Sequence, residues 1–136
     1  MDFTWISRWQ PQMLGLLRIV TGLLFLEHGT SKLFAFPIAP AGMPDPLPTL
    51  ILASAVIELV AGLLVTLGLF TRLAAFIASG EMAVAYFMAH FPKSFWPIEN
   101  MGDAAILYCF IFLYLAAAGA GAWSLDSART RNAPVR

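Results

Sequence analysis

The chain has 136 residues, of which 60% are hydrophobic and 12% charged, with a mean hydropathy of +0.77 and a formal net charge of zero. Ordinary soluble domains carry about 25% charged residues, so the composition predicts a membrane protein whose length allows one bundle. Zero net charge leaves no basic footprint for nucleic acid, and the single cysteine, Cys109, excludes an intrachain disulfide or Cys-x-x-Cys exchange chemistry.

Residues 1–12 combine two tryptophans with an arginine ahead of Pro11. Trp5 and Trp9 are four residues apart and flank Arg8, and both residue types prefer the membrane interface. We therefore expect a short interfacial helix.

The first predicted span covers residues 13–36 and carries a polar stripe. The run is long, and Glu27, His28 and Lys32 stand where a small-residue cleavage site would be needed, so we expect it to remain in the mature protein. Glu27 and His28 lie near its end, within reach of the headgroups. At 100° per residue, one narrow face holds Gly15, Arg18, Thr21, Gly22, Phe25, Gly29 and Lys32. Glycines seven apart predict close approach of a neighbouring helix.

Residues 36–48 contain five prolines, which exclude a continuous helix and predict a loop that could cover the bundle mouth. Two further spans follow, 49–69 and 73–91, joined by a turn at residues 68–72. Glu58 lies 10 residues before Gly68 and Glu81 lies 9 after Arg72. Both carboxylates are therefore roughly 15 Å from the turn, near mid-membrane, where an ionisable group is a functional-site hypothesis.

A second loop, 92–102, precedes the fourth predicted span, 103–123. Asn100 with Asp103 three residues later resembles a helix N-cap with an acid in the first turn. We expect the polar tail, 124–136, to be frayed.

These elements predict an all-α fold, a polytopic membrane four-helix bundle over residues 13–123. Four spans place both termini on one side. That side carries five arginines and the opposite side only Lys32 and Lys93, so the positive-inside rule predicts cytoplasmic N- and C-termini. The five are Arg8, Arg72, Arg129, Arg131 and Arg136.

Arg18, Glu58 and Glu81 form the candidate polar cluster. Because helical side chains lean toward the helix N-terminus, we expect Arg18 to pair with Glu81 and to leave Glu58 as the freer acid, available for proton relay or for a hydrogen bond to a carbonyl ligand. The alternative is a structural ion-pair network of all three residues that fixes the bundle.

His28 and His90 raise a haem or metal interpretation. Both lie off the polar stripes of their helices, and no second pair of ligands stands at a suitable spacing. We therefore predict no metal and treat them, with Glu27 and Lys32, as secondary candidates. Glu27 lies opposite the stripe. Its side chain either contacts a second protein, such as another copy of the chain, or reaches the lipid headgroups.

Four segments resemble the DoxX family of small bacterial four-helix membrane proteins, and together they cover nearly the whole chain. They are LRIVTGLLFLEHGTSKLFAF (17–36), IELVAGLLVTLGLFTRLAAF (57–76), GEMAVAYFMAHFPKSFWP (80–97) and LYCFIFLYLAAAGAGAWSLD (107–126). The most specific parts are Arg18 with the Gly29/Lys32 end, Glu58-x-x-x-Gly62, Gly68-x-x-Thr71-Arg72 and Glu81 after Gly80.

The resemblance implies a protein of the bacterial inner membrane. The family is named after a subunit of thiosulfate:quinone oxidoreductase, and some relatives are associated with redox or oxidative-stress complexes. Two function classes follow. One is a membrane subunit, with soluble or membrane redox subunits as partners, that takes a quinone headgroup near Arg18, Glu58 and Glu81. The other is a small-solute or proton-coupled transporter, or a scaffold without catalysis.

Overall fold

The computed structural model describes residues 3–131, and every regular element in that range is helical. This confirms the predicted all-α class. A 3₁₀ helix, Thr4–Trp9, leads into α1, Gln10–Phe34; α2 covers Thr49–Leu67, and α3 covers Thr71–Ala85 and continues as a π-helical turn, Tyr86–His90. The remaining helices are α4, Pro97–Asn100, α5, Asp103–Ala118, and α6, Leu125–Arg131.

Three helical stretches are long and apolar enough to cross a membrane: Thr4–Phe34, Thr49–Leu67 and Thr71–His90. The fourth apolar helix, α5, has 16 residues and ends at Ala118, before the predicted end at 123. It ends because Gly119 (φ 92°) and Gly121 (φ 68°) adopt the left-handed region that favours glycine. The segment 119–123 then turns back across the end of α1, where the Ala122 amide donates to the Pro11 carbonyl at 2.9 Å.

Glycines set the register of the antiparallel α1–α2 pair. A Cβ added at Gly22 would lie 2.7 Å from the Thr66 amide nitrogen, and one at Gly29 would lie 2.6 Å from that of Leu59. The backbones therefore touch at these positions, which confirms the predicted close approach. From the first contact to the second, the residue number rises by seven on α1 and falls by seven on α2. One residue beyond the Gly29–Leu59 contact, Glu58 of α2 therefore lies at the level of Thr30 of α1.

The second half of the bundle is formed by α3 packed on α5. The buried face of α3 centres on Ala75, Ala78 and Ser79, and the Ser79 hydroxyl donates to the Cys109 carbonyl at 2.8 Å. Ile77 and Met88, on the same face of α3 as Glu81, are exposed. They are exposed because the small residues of α3 pack against α5, whereas the face that carries Glu81 borders the cleft between α2 and α3.

The polar tail is ordered where the structure describes it, contrary to expectation. Residues 125–131 form α6, and the Asp126 carboxylate accepts hydrogen bonds from the Phe70 and Thr71 amides at 2.9 and 3.0 Å. Burial raises the pKa of Asp126, but the hydrogen bonds from Thr71 and Phe70 outweigh it and hold the pKa below its usual value of 3.8. This carboxylate therefore caps the N-terminus of α3; residues 132–136 lie outside the described range.

Asn100 does not cap α5 in the predicted manner. The helix begins at Asp103 as expected, but its N-cap is Gly102, whose amide donates to Asn100 Oδ1 at 2.8 Å. Asn100 is fully buried, and its Nδ2 donates to the Ser94 carbonyl and the Tyr86 hydroxyl. Its side chain therefore organises the preceding loop.

Candidate functional site

Arg18 is fully buried and is bonded to main-chain carbonyls instead of a carboxylate. Its five side-chain N–H groups donate to five carbonyl oxygens at 2.5 to 3.1 Å. Two of these carbonyls, of Val65 and Thr66, are in the last turn of α2. The other three, of Ala120, Ala122 and Trp123, belong to the segment after α5. The last carbonyls of a helix lack intrahelical donors and favour a cation, so Arg18 is a structural clamp at this end of the bundle.

The predicted pairing of Arg18 with Glu81 is therefore wrong, and so is the three-residue ion-pair network. The cause is the α1–α2 register. With Glu58 opposite Thr30, Arg18 lies 12 residues farther along α1, or about 18 Å from the glutamate level. The predicted pairing requires the centres of the two spans to lie at the same depth, whereas the glycine contacts displace α1 toward the end that carries the termini.

Lys32 occupies the position predicted for Arg18. Its Nζ lies 2.7 Å from Glu58 Oε1 and 3.2 Å from Ser54 Oγ, and the Ser54 hydroxyl donates to Glu81 Oε1 at 2.7 Å. We call Lys32, Ser54, Glu58 and Glu81 the Lys32 cluster. Glu58, expected to be the freer acid, is thus ion-paired, in the one salt bridge found among residues 3–131.

The cluster leaves two carboxylate oxygens without partners. Glu58 Oε2 and Glu81 Oε2 are both buried, and neither has a hydrogen-bond partner within the described part of the chain. An unsatisfied buried acceptor costs about 1–3 kcal/mol, and more when it is charged. Since Glu58 is the tenth of 19 residues in α2 and Glu81 the eleventh of 20 in 71–90, this cost is incurred near the middle of both helices. Such an arrangement is suited to accepting a proton or a ligand hydrogen bond.

One wall of the cluster opens into a cavity of about 370 Å³ between α2 and α3. Lys32, Ser54 and Glu81 are its polar lining residues, and Met43 of the proline-rich loop closes one side. The other lining residues are aliphatic, among them Leu50, Ile57 and Val84. The cavity therefore combines a donor, an acceptor and an apolar body, the usual composition of a small-molecule site.

Of the secondary candidates, Lys32 belongs to the cluster, while His28, His90 and Glu27 lie apart from its hydrogen bonds. His28 is exposed and donates through Nδ1 to the Leu24 carbonyl, with its ring edge-on to Tyr108 at 5.8 Å. His90 donates through Nδ1 to the Asn100 carbonyl at 3.0 Å, and Glu27 is exposed. Across residues 3–131, no three His, Cys, Asp or Glu side chains are grouped as metal ligands.

Sequence reasoning missed two features of this site. Ser54 was not among the candidate residues, yet its hydroxyl links Lys32 to Glu81. Lys32 was on the polar stripe but was treated only as a secondary candidate. The register follows when Gly62 of α2 is placed between Gly22 and Gly29 of α1, opposite Leu26, and this brings Lys32 near Glu58 and Ser54.

The comparison with family models identifies a family for this chain. A family model described as DoxX matches residues 13–91. A Haemophilus influenzae protein, described as an uncharacterized protein, is 45% identical over 129 residues, which cover 90% of this chain and 94% of that protein. No solved structure matches the chain. With its family model, its similar relative and its long apolar helices, the chain belongs to the DoxX family of membrane proteins.

Proposed function

We propose that this chain is the membrane subunit of a redox complex and that it binds a quinone headgroup at the Lys32 cluster. The observation that carries the proposal is the buried, partnerless Glu81 Oε2, because Glu81 lines a cavity whose other walls are mostly apolar; Glu58 Oε2, in the same cluster, is also without a partner. Lys32 can donate to a carbonyl oxygen, and Glu81 Oε2 can accept from a hydroxyl, so the cavity offers a partner for each form of a quinone ring.

A bound quinone would supply carbonyl oxygens that take up two electrons and two protons. Lys32 Nζ donates to Ser54 Oγ, and the Ser54 hydroxyl donates to Glu81 Oε1, so these groups form a route that brings a proton to Glu81. Glu81 would transfer it to the oxygen in the cavity, and Lys32 would be reprotonated from the polar side of the cluster. In this proposal the electrons come from a redox centre on a partner subunit.

We also propose four membrane crossings, with α5 and the segment 119–123 as the fourth, in a bacterial inner membrane. Support for cytoplasmic termini comes from charge: four described arginines, Arg8, Arg72, Arg129 and Arg131, lie at the end with the termini, against Lys32 and Lys93 toward the other. The bacterial origin of the similar protein fits this location.

The test is native mass spectrometry of the chain gently extracted from its own membrane, reading bound small molecules and subunits. We expect the wild type to retain a quinone, Glu81→Gln to lose it, and Glu99→Gln, altered outside the cluster, to retain it. Equal retention in both variants would contradict the site. If instead no quinone is retained and the chain carries a pH-dependent solute flux that Glu81→Gln abolishes, the protein is a proton-coupled transporter.

A further inference from the structure

A second, wholly apolar cavity lies next to the cavity beside the Lys32 cluster. The second cavity, of about 320 Å³, lies farther along the α2–α3 cleft and is lined by apolar residues only, including Val60 and Leu64 of α2 and Leu73 and Ile77 of α3. Ile57 lines both cavities. The two cavities therefore adjoin at Ile57 and both follow the α2–α3 cleft; we call them together the groove.

Helical spacing shows that the two cavities share one face of α3. Leu73 and Ile77 line the apolar cavity, and Glu81, Val84 and Met88 line the polar one; these positions recur every three or four residues, as on a single helix face. On α2, the stretch from Ile57 to Leu64 extends the groove by about 10 Å toward the turn at Phe70. The groove is thus polar at mid-helix and apolar from there to the turn.

We propose that this groove holds the apolar tail of the ligand, which makes the ligand class a single-tailed amphiphile with an uncharged, hydrogen-bonding head. The inference rests on the proposed function and extends it from the headgroup to the whole molecule. The head contacts Glu81 and Lys32, and the tail lies between Val60 and Ile77.

The depth of the site argues for an uncharged head. Glu81 is at the middle of 71–90, about 15 Å from either end, and burying a charged phosphate at that depth is costly. Ordinary phospholipids keep their heads at the interface, so a phospholipid fits the groove only with its acyl chain. An isoprenoid quinone can place its head at Glu81 and its tail along the groove.

The experiment measures binding of two probes to the full chain in nanodiscs: a benzoquinone with a long isoprenoid tail and the same head without a tail. Val60→Trp and Ile77→Trp fill the groove from its two walls; Leu63→Trp and Phe76→Trp, on exposed sites outside the groove lining, are the matched controls. We expect both groove variants to weaken the tailed probe about tenfold and to leave the tailless probe unchanged, while both controls bind as wild type.

Three outcomes would overturn the inference. One is equal binding of the tailed probe to groove and control variants. Another is a tailless probe that binds as tightly as the tailed one. The third is a phospholipid that native mass spectrometry finds bound in a Val60-dependent manner and that the tailed probe fails to displace. Loss of headgroup binding in Glu81→Gln tests the proposed function separately, so failure of the tail site and failure of the head site are distinguishable.

Discussion

Arg18 donates every side-chain N–H it has to a main-chain carbonyl, and this sets its role at the residue scale. The five acceptors belong to the end of α2 and to the segment after α5. Lysine has three donors on a flexible stem and cannot reproduce a planar fork. Arg18 therefore holds three separate parts of the chain together, and its charge is stabilised by main-chain carbonyl dipoles, two of them at the end of α2.

Arg18→Lys is expected to lower the free energy of unfolding by about 3 kcal/mol, because at least two carbonyls lose a charged donor. Arg18→Ala should lower it further, and by more than Glu58→Gln does. Thermal unfolding in detergent measures all three. The control is Arg72→Lys, since Arg72 is exposed and donates to the Ala116 and Ala117 carbonyls only. An Arg18→Lys protein as stable as the control would show that the clamp does not matter.

Lys32 and Glu58 form a pair in which one partner is buried. The Lys32 side chain is 19% exposed and that of Glu58 only 2%. Lys32→Met should destabilise the protein by about 3 kcal/mol, because it leaves Glu58 buried without its counter-charge. Adding Glu58→Gln should restore much of the loss, which a double-mutant cycle would report as a coupling energy. Additive single effects would show that the pair is not coupled; Lys93→Met, in the 92–102 loop, is the matched control.

At the element scale, glycines decide how the helices meet. Gly29→Ala would bring a Cβ to 2.6 Å from the Leu59 amide nitrogen, while at Gly80, also helical, nothing lies within 4 Å. We expect Gly29→Ala to destabilise by about 2 kcal/mol through overpacking, and Gly80→Ala to stabilise by about 0.5–1 kcal/mol through helix propensity. Unfolding midpoints of the two variants check this directly. The same sign of change in both would refute the α1–α2 register.

The α6 segment is attached to the turn at 68–72 through Asp126. Because the folded-state pKa of Asp126 is lowered, its contribution to stability is present above its usual pKa of 3.8 and is lost as the pH falls through the folded value. The protection of the Phe70 and Thr71 amides, which is the slowing of their exchange relative to the intrinsic rate at the same pH, should therefore fall at low pH in the wild type. In Asp126→Asn the protection should be low at every pH, whereas Asp45→Asn, in the proline-rich loop, should follow the wild type. Wild-type protection in Asp126→Asn would contradict the cap.

The sequence predicted where the helices lie in the chain and which face of α1 is buried. It did not predict how far the helices are displaced along one another. The stripe from Gly15 to Gly29 is the buried face of α1, because periodicity reports which side of a helix meets protein. Periodicity carries no information about how far one helix slides along another. That displacement is fixed by backbone contacts at Gly22, Gly29 and Gly62, and it exchanged Arg18 for Lys32 as the partner of the buried acids.

At the scale of the whole molecule, the charged residues at the end with the termini differ in role from those near the middle of the bundle. Arg18, Arg72 and Asp126 cap helix ends where the termini lie. Lys32 of the cluster is in the last turn of α1, two residues before the helix ends at Phe34. Structural charges are thus satisfied by backbone groups, while the mid-helix carboxylates keep unsatisfied oxygens beside the cavity. This separation is the basis for assigning chemistry to the cluster.

The most direct test of the account is infrared difference spectroscopy of the protein in membranes as a bound quinone is reduced and reoxidised. The account predicts a carboxyl band that changes with each cycle, that is absent in Glu81→Gln and that persists in Glu27→Gln, where an exposed acid is altered. A band that survives Glu81→Gln, or a redox cycle without any carboxyl change in the wild type, would contradict proton exchange at the Lys32 cluster.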